Sequence, residues 1–295
     1  MNDLDPQIED GTGLRAAPGF PETKRRVSTR IRTRPRPAWL GEARYTLISA
    51  ATIVILLGLW ALITNLFHIP AMVLPSPQSI LRHFRALLLE GYAGHPLWEH
   101  ILVSVLRTLT GFIIGVTLAI PLGLWMGYSR TVNAILWPVF GFIRPIPPIA
   151  YIPLAILWFG IGEFSKVLLI FVASFNFTVL ASAAGMRAVP EQLIRAGTNL
   201  GLSRWQMFVS VMLPAAMPQI FTGIKTSIAV SWAVMVAAEL IAAQIGLGFI
   251  IEDAGTFFRT PEVMIGVAII GAIGLVFEAT VVAIERRVLH WQAKG

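Results

Sequence analysis

The chain has 295 residues, of which 56% are hydrophobic and 13% charged, with a formal net charge of +7 and no cysteine. Soluble domains carry roughly a quarter charged residues, so this composition excludes an ordinary soluble globular protein. The lack of cysteine excludes disulfides and thiolate metal sites. Residues 1–44 are polar and rich in Pro, Gly and Arg without an apolar period, which predicts a disordered tail. Seven basic residues and no acid fall between Lys24 and Arg36. They directly precede the first apolar run, where positive residues hold a chain end in the cytoplasm, and this reading outweighs nucleic-acid binding.

Crossing a bilayer as a helix takes about 20 mostly apolar residues. Thr46–Phe67 meets this without a charge, is too long for a signal-peptide core, and is predicted to be a retained span. With the external segment that follows, it makes up residues 45–100. That segment contains His68, His83, His95 and His100, whose spacing fits no zinc motif and predicts surface or interfacial roles. A second span covers residues 101–127 and holds Arg107. A third, Ile135–Gly160, carries Arg144 and four prolines beyond Pro138. "GIGEFSK" (Gly160–Lys166) superficially resembles a phosphate loop. It lacks the Gly-Lys-Ser/Thr ending and follows no strand, so a turn is expected. The fourth span is Val167–Met186, and the fifth is Ile220–Ile241 with Lys225 and Glu239. "GLGF" (Gly246–Phe249) reads as a turn or re-entrant segment at the outer surface. The sixth span, Val263–Ile284, contains Glu278, which together with Glu285 suggests structural pairing near the inner end. Residues 101–285 form the membrane core and 286–295 a second cytoplasmic tail.

The fold class is therefore an all-α membrane protein with six predicted transmembrane helices and both ends on one side. With the tail inside, the inner segments hold Arg130, Arg187, Arg195, Arg204, Arg286, Arg287 and Lys294. The outer segments hold Arg82, Arg85, Lys166 and Arg259 beside six acids, Glu90, Glu99, Glu163, Glu252, Asp253 and Glu262. The bias puts both termini in the cytoplasm.

The segment between spans four and five is too polar to cross and too patterned for a loop. Pro190 suits a helix's first position and Glu191 complements its N-terminal dipole. Leu193, Ala196, Gly197 and Leu200 form an apolar face with small residues at its middle. Gly201 is placed for a left-handed helix end, and Ser203 to Gln206 reads as a capping box that restarts the helix. Trp205, Phe208, Val209 and Met212 form a second face, and Pro214 and Pro218 mark where the chain is expected to turn into the fifth span. Two readings stand: an interfacial amphipathic element, or a rigid knob offered to a cytoplasmic partner.

These residues resemble the cytoplasmic loop of ABC-importer permeases, whose motif is E-A-A, three residues, Gly, nine residues, I-x-L-P. Here it stands as Arg195-Ala196-Gly197, three residues, Gly201, nine residues, Val211-Met212-Leu213-Pro214. The spacing matches, with Arg195 for Glu, Gly197 for the second Ala and Val211 for Ile. Arg144–Lys166 and Ala237–Ile251 are similar to the nitrate/sulfonate/taurine branch of these permeases. The resemblance runs from about Trp98 to Trp291 and leaves out residues 1–44.

It implies a type I importer permease in a bacterial inner membrane, with Arg195, Ala196, Gly197, Gly201, Leu213 and Pro214 in a coupling helix that seats on an ATPase. Its implied partners are a second permease copy, two cytoplasmic ATPases that bind the ATP, and an external solute-binding protein. This chain would then hold no cofactor and catalyse no covalent step. The implied solute is a small organic sulfonate, taurine or an alkanesulfonate, with nitrate or bicarbonate as the alternative.

Ionisable groups inside spans are costly and usually face a partner or a cavity. Arg107, Arg144 and Glu239 are thus candidates for lining a translocation pathway. For Arg107 and Glu239 an equally weighted reading is that they lie near span ends and snorkel. Arg144 precedes Pro145-Ile146-Pro147-Pro148, which interrupts a helix inside the membrane, making the third span the first choice for the pathway. The competing class is a self-contained secondary transporter with Glu239 or Glu278 as proton carrier.

Overall fold

The computed structural model describes residues 38–291, His68 apart. The basic run Lys24–Arg36, His68 and Lys294 lie outside the described residues. Among the described residues there are helices and turns but no strand.

Helix α1 (Ala38–Leu66) presents an apolar surface, with Ile53, Leu56 and Leu59 exposed. Helix α2 (Pro77–Glu90) begins at Ser76, whose Oγ accepts from the Ser79 amide, with Pro77 in its first turn. Its two-faced pattern lies within the segment expected only to be external, and too short an apolar stripe hid it from a search for spans. Helices α3 (Leu97–Tyr128), α6 (Glu163–Arg187), α9 (Leu213–Ala242) and α11 (Thr260–Val288) match the second, fourth, fifth and sixth expected spans, each extended by a few residues.

The third expected span is not one helix. Helix α4 (Arg130–Ile143) stops at Arg144, and after Pro145–Pro147 a 3₁₀ turn (Pro148–Tyr151) leads into the short α5 (Ile152–Phe159). The two pieces are bent by 84°. Three prolines within four residues supply no backbone N–H, and Pro147, which precedes Pro148, leaves the helical region at φ −59 and ψ 130, whereas Arg144 before Pro145 stays helical. Among the described residues five helices are long and apolar enough to cross a membrane, and six spans are reached only if this bent pair counts as one.

A correction concerns Pro214 and Pro218. The chain does not turn there. After α7 (Glu191–Asn199) and α8 (Arg204–Met207), a π-helical stretch (Phe208–Met212) runs straight into α9. The wider turn ends just before Pro214, which stands in the first turn of α9, while Pro218 lies inside that helix. The short α10 (Leu247–Thr256) fills the expected turn at "GLGF" and continues beyond it.

Helix α6 lies between α3 and α9, and all three come together through small residues. On α3, Gly111, Gly115, Ala119, Gly123 and Gly127 recur every four residues along one face. A Cβ on Gly123 would stand 2.5 Å from the Val179 carbonyl oxygen, and one on Gly127 2.7 Å from that of Ala183. Ser174 Oγ donates to the Gly111 carbonyl across this contact, and Ser227 Oγ on α9 donates to the Ser174 carbonyl. Lipid tails are as apolar as leucine, so such close backbone packing and interhelical hydrogen bonds, rather than hydrophobic burial, hold spans together.

Replacing Gly123 with Ala is expected to destabilise the folded protein by about 1–3 kcal/mol, because its neighbour is backbone and cannot step aside. Ala at Gly58, where nothing lies within 4 Å, should be neutral or slightly stabilising. Thermal unfolding of both variants in detergent checks the contrast.

Candidate functional site

Three places collect the residues singled out by the sequence: a polar cluster at one end of the bundle, a hairpin at the other, and a cavity between them. The cluster is centred on Arg107, which α3 delivers on one face together with His100 and Ser104. Arg107 Nη1 donates to Glu239 Oε1 at 2.6 Å and to the Ile245 carbonyl at 2.7 Å, while Nη2 donates to Glu163 Oε1 at 2.6 Å. Glu239 on α9 is fully buried. Its carboxylate also accepts from Ser104 Oγ at 2.8 Å and from the Gly248 amide at 2.9 Å. Ser104 Oγ in turn accepts from the Leu247 amide. The first amides of α10 therefore close on a carboxylate and a hydroxyl, as the N-terminal dipole favours. At the rim, Glu163 is exposed and also accepts from the buried Lys166 ammonium.

"GLGF" has a structural reason here. Gly246 sits at φ +139, and a Cβ there would lie 2.4 Å from Glu239 Oε2. Only glycine leaves room for the carboxylate. His100 was expected at the surface or interface and is instead fully buried. With its proton on Nε2, it donates to the Tyr92 carbonyl and accepts from the Gly246 amide at Nδ1, and its ring stacks on Phe249. Tyr92 Oη donates to Asp253 Oδ2 at 2.6 Å. Burial and that carboxylate push the Tyr92 phenol well above its ordinary range.

Arg107 and Glu239 thus meet each other in a packed cluster and do not snorkel. Glu285 pairs with Lys225 at 3.0 Å rather than with Glu278. Glu278 instead lines a separate groove between α9 and α11. Gly160–Gly162 forms the expected turn, where Ser165 Oγ donates to the Gly160 carbonyl before α6. Among the described residues, no three His, Asp or Glu side chains converge as a metal set.

The hairpin follows its sequence signals closely. Helix α7 ends with Gly201 at φ +75. The Gly201 amide donates to the Thr198 carbonyl and the Leu202 amide to that of Gly197, the double closure that a left-handed residue after a helix permits. Ser203 Oγ accepts from the Gln206 amide while Gln206 Oε1 accepts from the Ser203 amide, completing the capping box. Gly197 is spent inside the hairpin, since a Cβ there would meet Met207 Cε at 2.7 Å. Outside, Leu200 and Trp205 are 80% and 72% exposed. A groove of about 410 Å³ runs past Ala196, Gly197, Leu200, Val211, Pro214 and Trp291. Leu213 packs towards the core beside Met186 and Ile220. Arg195 faces outward and pairs with Glu191 at 2.9 Å.

Arg144 lies apart from both places. It is exposed at the break after α4 and shares a cavity of about 280 Å³ with Asn176 on α6, Arg187 at the end of α6 and Gln219 on α9.

The structure is thus a helical bundle with a broken span, joined on α6 and α9 to a glycine-cornered hairpin. The model for binding-protein-dependent transport system inner membrane components matches residues 119–290. The chain is 39% identical over 253 residues to the taurine transport system permease protein TauC of Escherichia coli K12, covering 85% of this chain and 92% of that one. It is 32% identical over 277 residues to the putative aliphatic sulfonates transport permease protein SsuC of Bacillus subtilis 168, covering 94% and 96%. A chain of the MetNI methionine ABC transporter, in an inward-facing conformation, has the same fold with a TM-score of 0.53 at 20% identity, over 70% of this chain and 98% of that one. The chain belongs to the family of binding-protein-dependent transport system inner membrane components, the permease subunits of ABC importers. It is a multi-pass transport subunit, and its family implies an ATPase and a substrate-binding partner.

The Arg107 cluster is readable as energy. Removing one partner of a buried ion pair costs about 3–5 kcal/mol, because it strands the other charge. Glu239→Ala is therefore expected to lower stability by about that much, and the Arg107→Ala/Glu239→Ala double variant by clearly less than the sum of the singles. A double-mutant cycle by thermal unfolding measures this; additive losses would mean the two groups are not coupled.

Proposed function

We propose that this permease carries a small organic sulfonate, taurine first, into the cell by alternating access. The observation that carries the proposal is its resemblance, over most of the chain, to permeases named for taurine and for aliphatic sulfonates. In the proposed assembly two copies of this chain form the pore, and two cytoplasmic ATPases bind and hydrolyse ATP. An external binding protein delivers the solute. Both termini and the hairpin face the cytoplasm. The hairpin is the coupling element, with Ala196, Gly197 and Pro214 on the groove that an ATPase would fill, Gly201 at the rigid corner, and Leu213 anchoring the hairpin to the bundle. Arg195, which replaces the motif's acid, stays on the outer surface against Glu191. Against a proton-coupled secondary transporter stands the environment of Glu239, whose lone pairs are already taken by Arg107, Ser104 and the Gly248 amide. A carboxylate so held is fixed between three helices rather than facing a solute path.

Growth of a deletion strain on taurine, on an alkanesulfonate or on sulfate as sole sulfur source tests the solute. Loss on taurine with growth kept on sulfate is the expected result, loss on alkanesulfonates alone moves the assignment to that neighbour, and normal growth on both with lost nitrate uptake refutes the sulfonate reading.

Coupling is tested at Gly201. No atom crowds a Cβ there, so the cost of substitution is the left-handed backbone alone. Val strongly resists that conformation, whereas Asn adopts it with little strain. Gly201→Val is expected to abolish most transport and weaken ATPase association, while Gly201→Asn keeps both. In the cysteine-free chain, a cysteine placed at Arg204 should resist membrane-impermeant thiol reagents in intact cells. Equal transport by the two Gly201 variants, or ready labelling at 204, would refute the hairpin's proposed role.

A further inference from the structure

The cavity at the α4 break carries charge that nothing in its surroundings neutralises. Arg144 and Arg187 have no carboxylate partner, as is true of several other arginines among the described residues, and they differ from those in lining one cavity together. No carboxylate lines the cavity they share. Arg187 is positioned rather than neutralised. Its Nη1 donates to Asn133 Oδ1 at 2.9 Å, and its guanidinium lies 5.2 Å from the centre of the Trp137 ring. Arg144 stands 11 residues beyond Asn133 by their sequence numbers, at the far end of α4. At the helical rise this places the two cations roughly 16 Å apart along the helix, at two depths of the bundle. An unpaired arginine at a break within a span marks a solute path, and one of anions, while Arg187, the last residue of α6, lines the same cavity.

A second observation points to a ligand independently. Asn176 is 7% exposed and lines the same cavity, yet its Oδ1 has no hydrogen-bond partner among the described residues. Buried polar atoms in native proteins are satisfied, so a lone acceptor facing a cavity calls for a donor from outside the chain. The volume, about 280 Å³, lies below the range that encloses drug-sized ligands and suits a solute of only a few heavy atoms.

We infer that this cavity is a transient station for the solute on its way across. The guanidinium groups of Arg187 and Arg144 receive the oxygens of a compact anionic head in turn, one at each depth, and Asn176 Oδ1 accepts a hydrogen bond from the amine of a solute that carries one. The inference rests on the sulfonate reading for its solute class and adds the residues that recognise the two ends of an aminosulfonate.

The test uses the whole importer, purified with its ATPase and reconstituted in vesicles with its binding protein. Uptake of taurine and of ethanesulfonate, which lacks the amine, is measured beside ATP hydrolysis. Losing one charge-assisted hydrogen bond corresponds to a drop of about tenfold or more. Arg144→Gln is therefore expected to cut uptake of both sulfonates about tenfold while ATP hydrolysis stimulated by the loaded binding protein is kept, and Arg144→Lys to restore part of the loss. Asn176→Leu, close in shape and free of the lone acceptor, should unfold at the same or a higher temperature yet lose taurine uptake selectively. Unchanged uptake in Arg144→Gln, or uptake and hydrolysis falling together, overturns the station. Equal effects of Asn176→Leu on both solutes overturn its amine-binding role. If the wild-type importer carries nitrate and neither sulfonate, the sulfonate reading fails, and the station is judged on nitrate: loss in Arg144→Gln upholds an anion site and no loss overturns it. A wild-type importer that carries none of these anions overturns both readings.

Discussion

Arg107 is the interaction on which one end of the bundle depends. One guanidinium reaches α6 through Glu163, α9 through Glu239 and the α9–α10 connection through the Ile245 carbonyl. Inside a membrane an unpaired charge of this kind would be prohibitively placed. Around this pair the neighbouring choices become necessary. Gly246 must lack a side chain to admit the carboxylate, α10 must begin where its amides can reach Glu239 and Ser104, and His100 must hold the loop from the other side. The cluster is a lock on the positions of three helices. It leaves neither Arg107 nor Glu239 free to move with a solute.

Below that lock the helices are held by proximity rather than by charge. The small residues of α3 bring its backbone against α6, and hydroxyl-to-carbonyl bonds from Ser174 and Ser227 link α3, α6 and α9 in sequence. Where packing is this close, helices shift as units. From Arg204 to Ala242 the chain is one continuous helical element. It joins the second arm of the hairpin to Glu239, and only the π-helical stretch at Phe208–Met212 relaxes it. A displacement imposed at the hairpin therefore has a stiff lever into the bundle, which is what the proposed coupling requires. The α4–α5 break plays the opposite part. Its prolines remove hydrogen bonds from the interior of a span and leave Arg144 beside a cavity instead of against a partner helix.

The hairpin was legible in the sequence almost residue by residue. Its signals are local: a proline and an acid at the start, a glycine at the left-handed corner, a serine and a glutamine three residues apart. Each acts through backbone hydrogen bonds within a few residues, so no knowledge of distant packing is needed. The spans were legible for a similar reason, since length and apolarity are properties of a segment alone. The exceptions are instructive. The third span met both criteria and broke at the prolines that the sequence marks as an interruption, which outweigh an apolar average. Pro214 and Pro218 looked like a turn and proved to be part of a helix, the first in the opening turn of α9 and the second inside it.

What no segment could reveal was pairing between segments. His100, Ser104 and Arg107 share a helix face, a polar stripe that sequence inspection could have found, but their partners lie more than 130 positions away for Glu239 and Gly246. The meaning of "GLGF" depends on a carboxylate arriving from α9, and that of the α3 glycines on a backbone arriving from α6. The sequence by itself determined the membrane class, the spans and the hairpin, since these follow from local hydrogen bonding and from transfer into lipid. Only the tertiary structure decided which charges neutralise one another and which stay unpaired beside a cavity, because electrostatic partnership depends on distance in space and not along the chain.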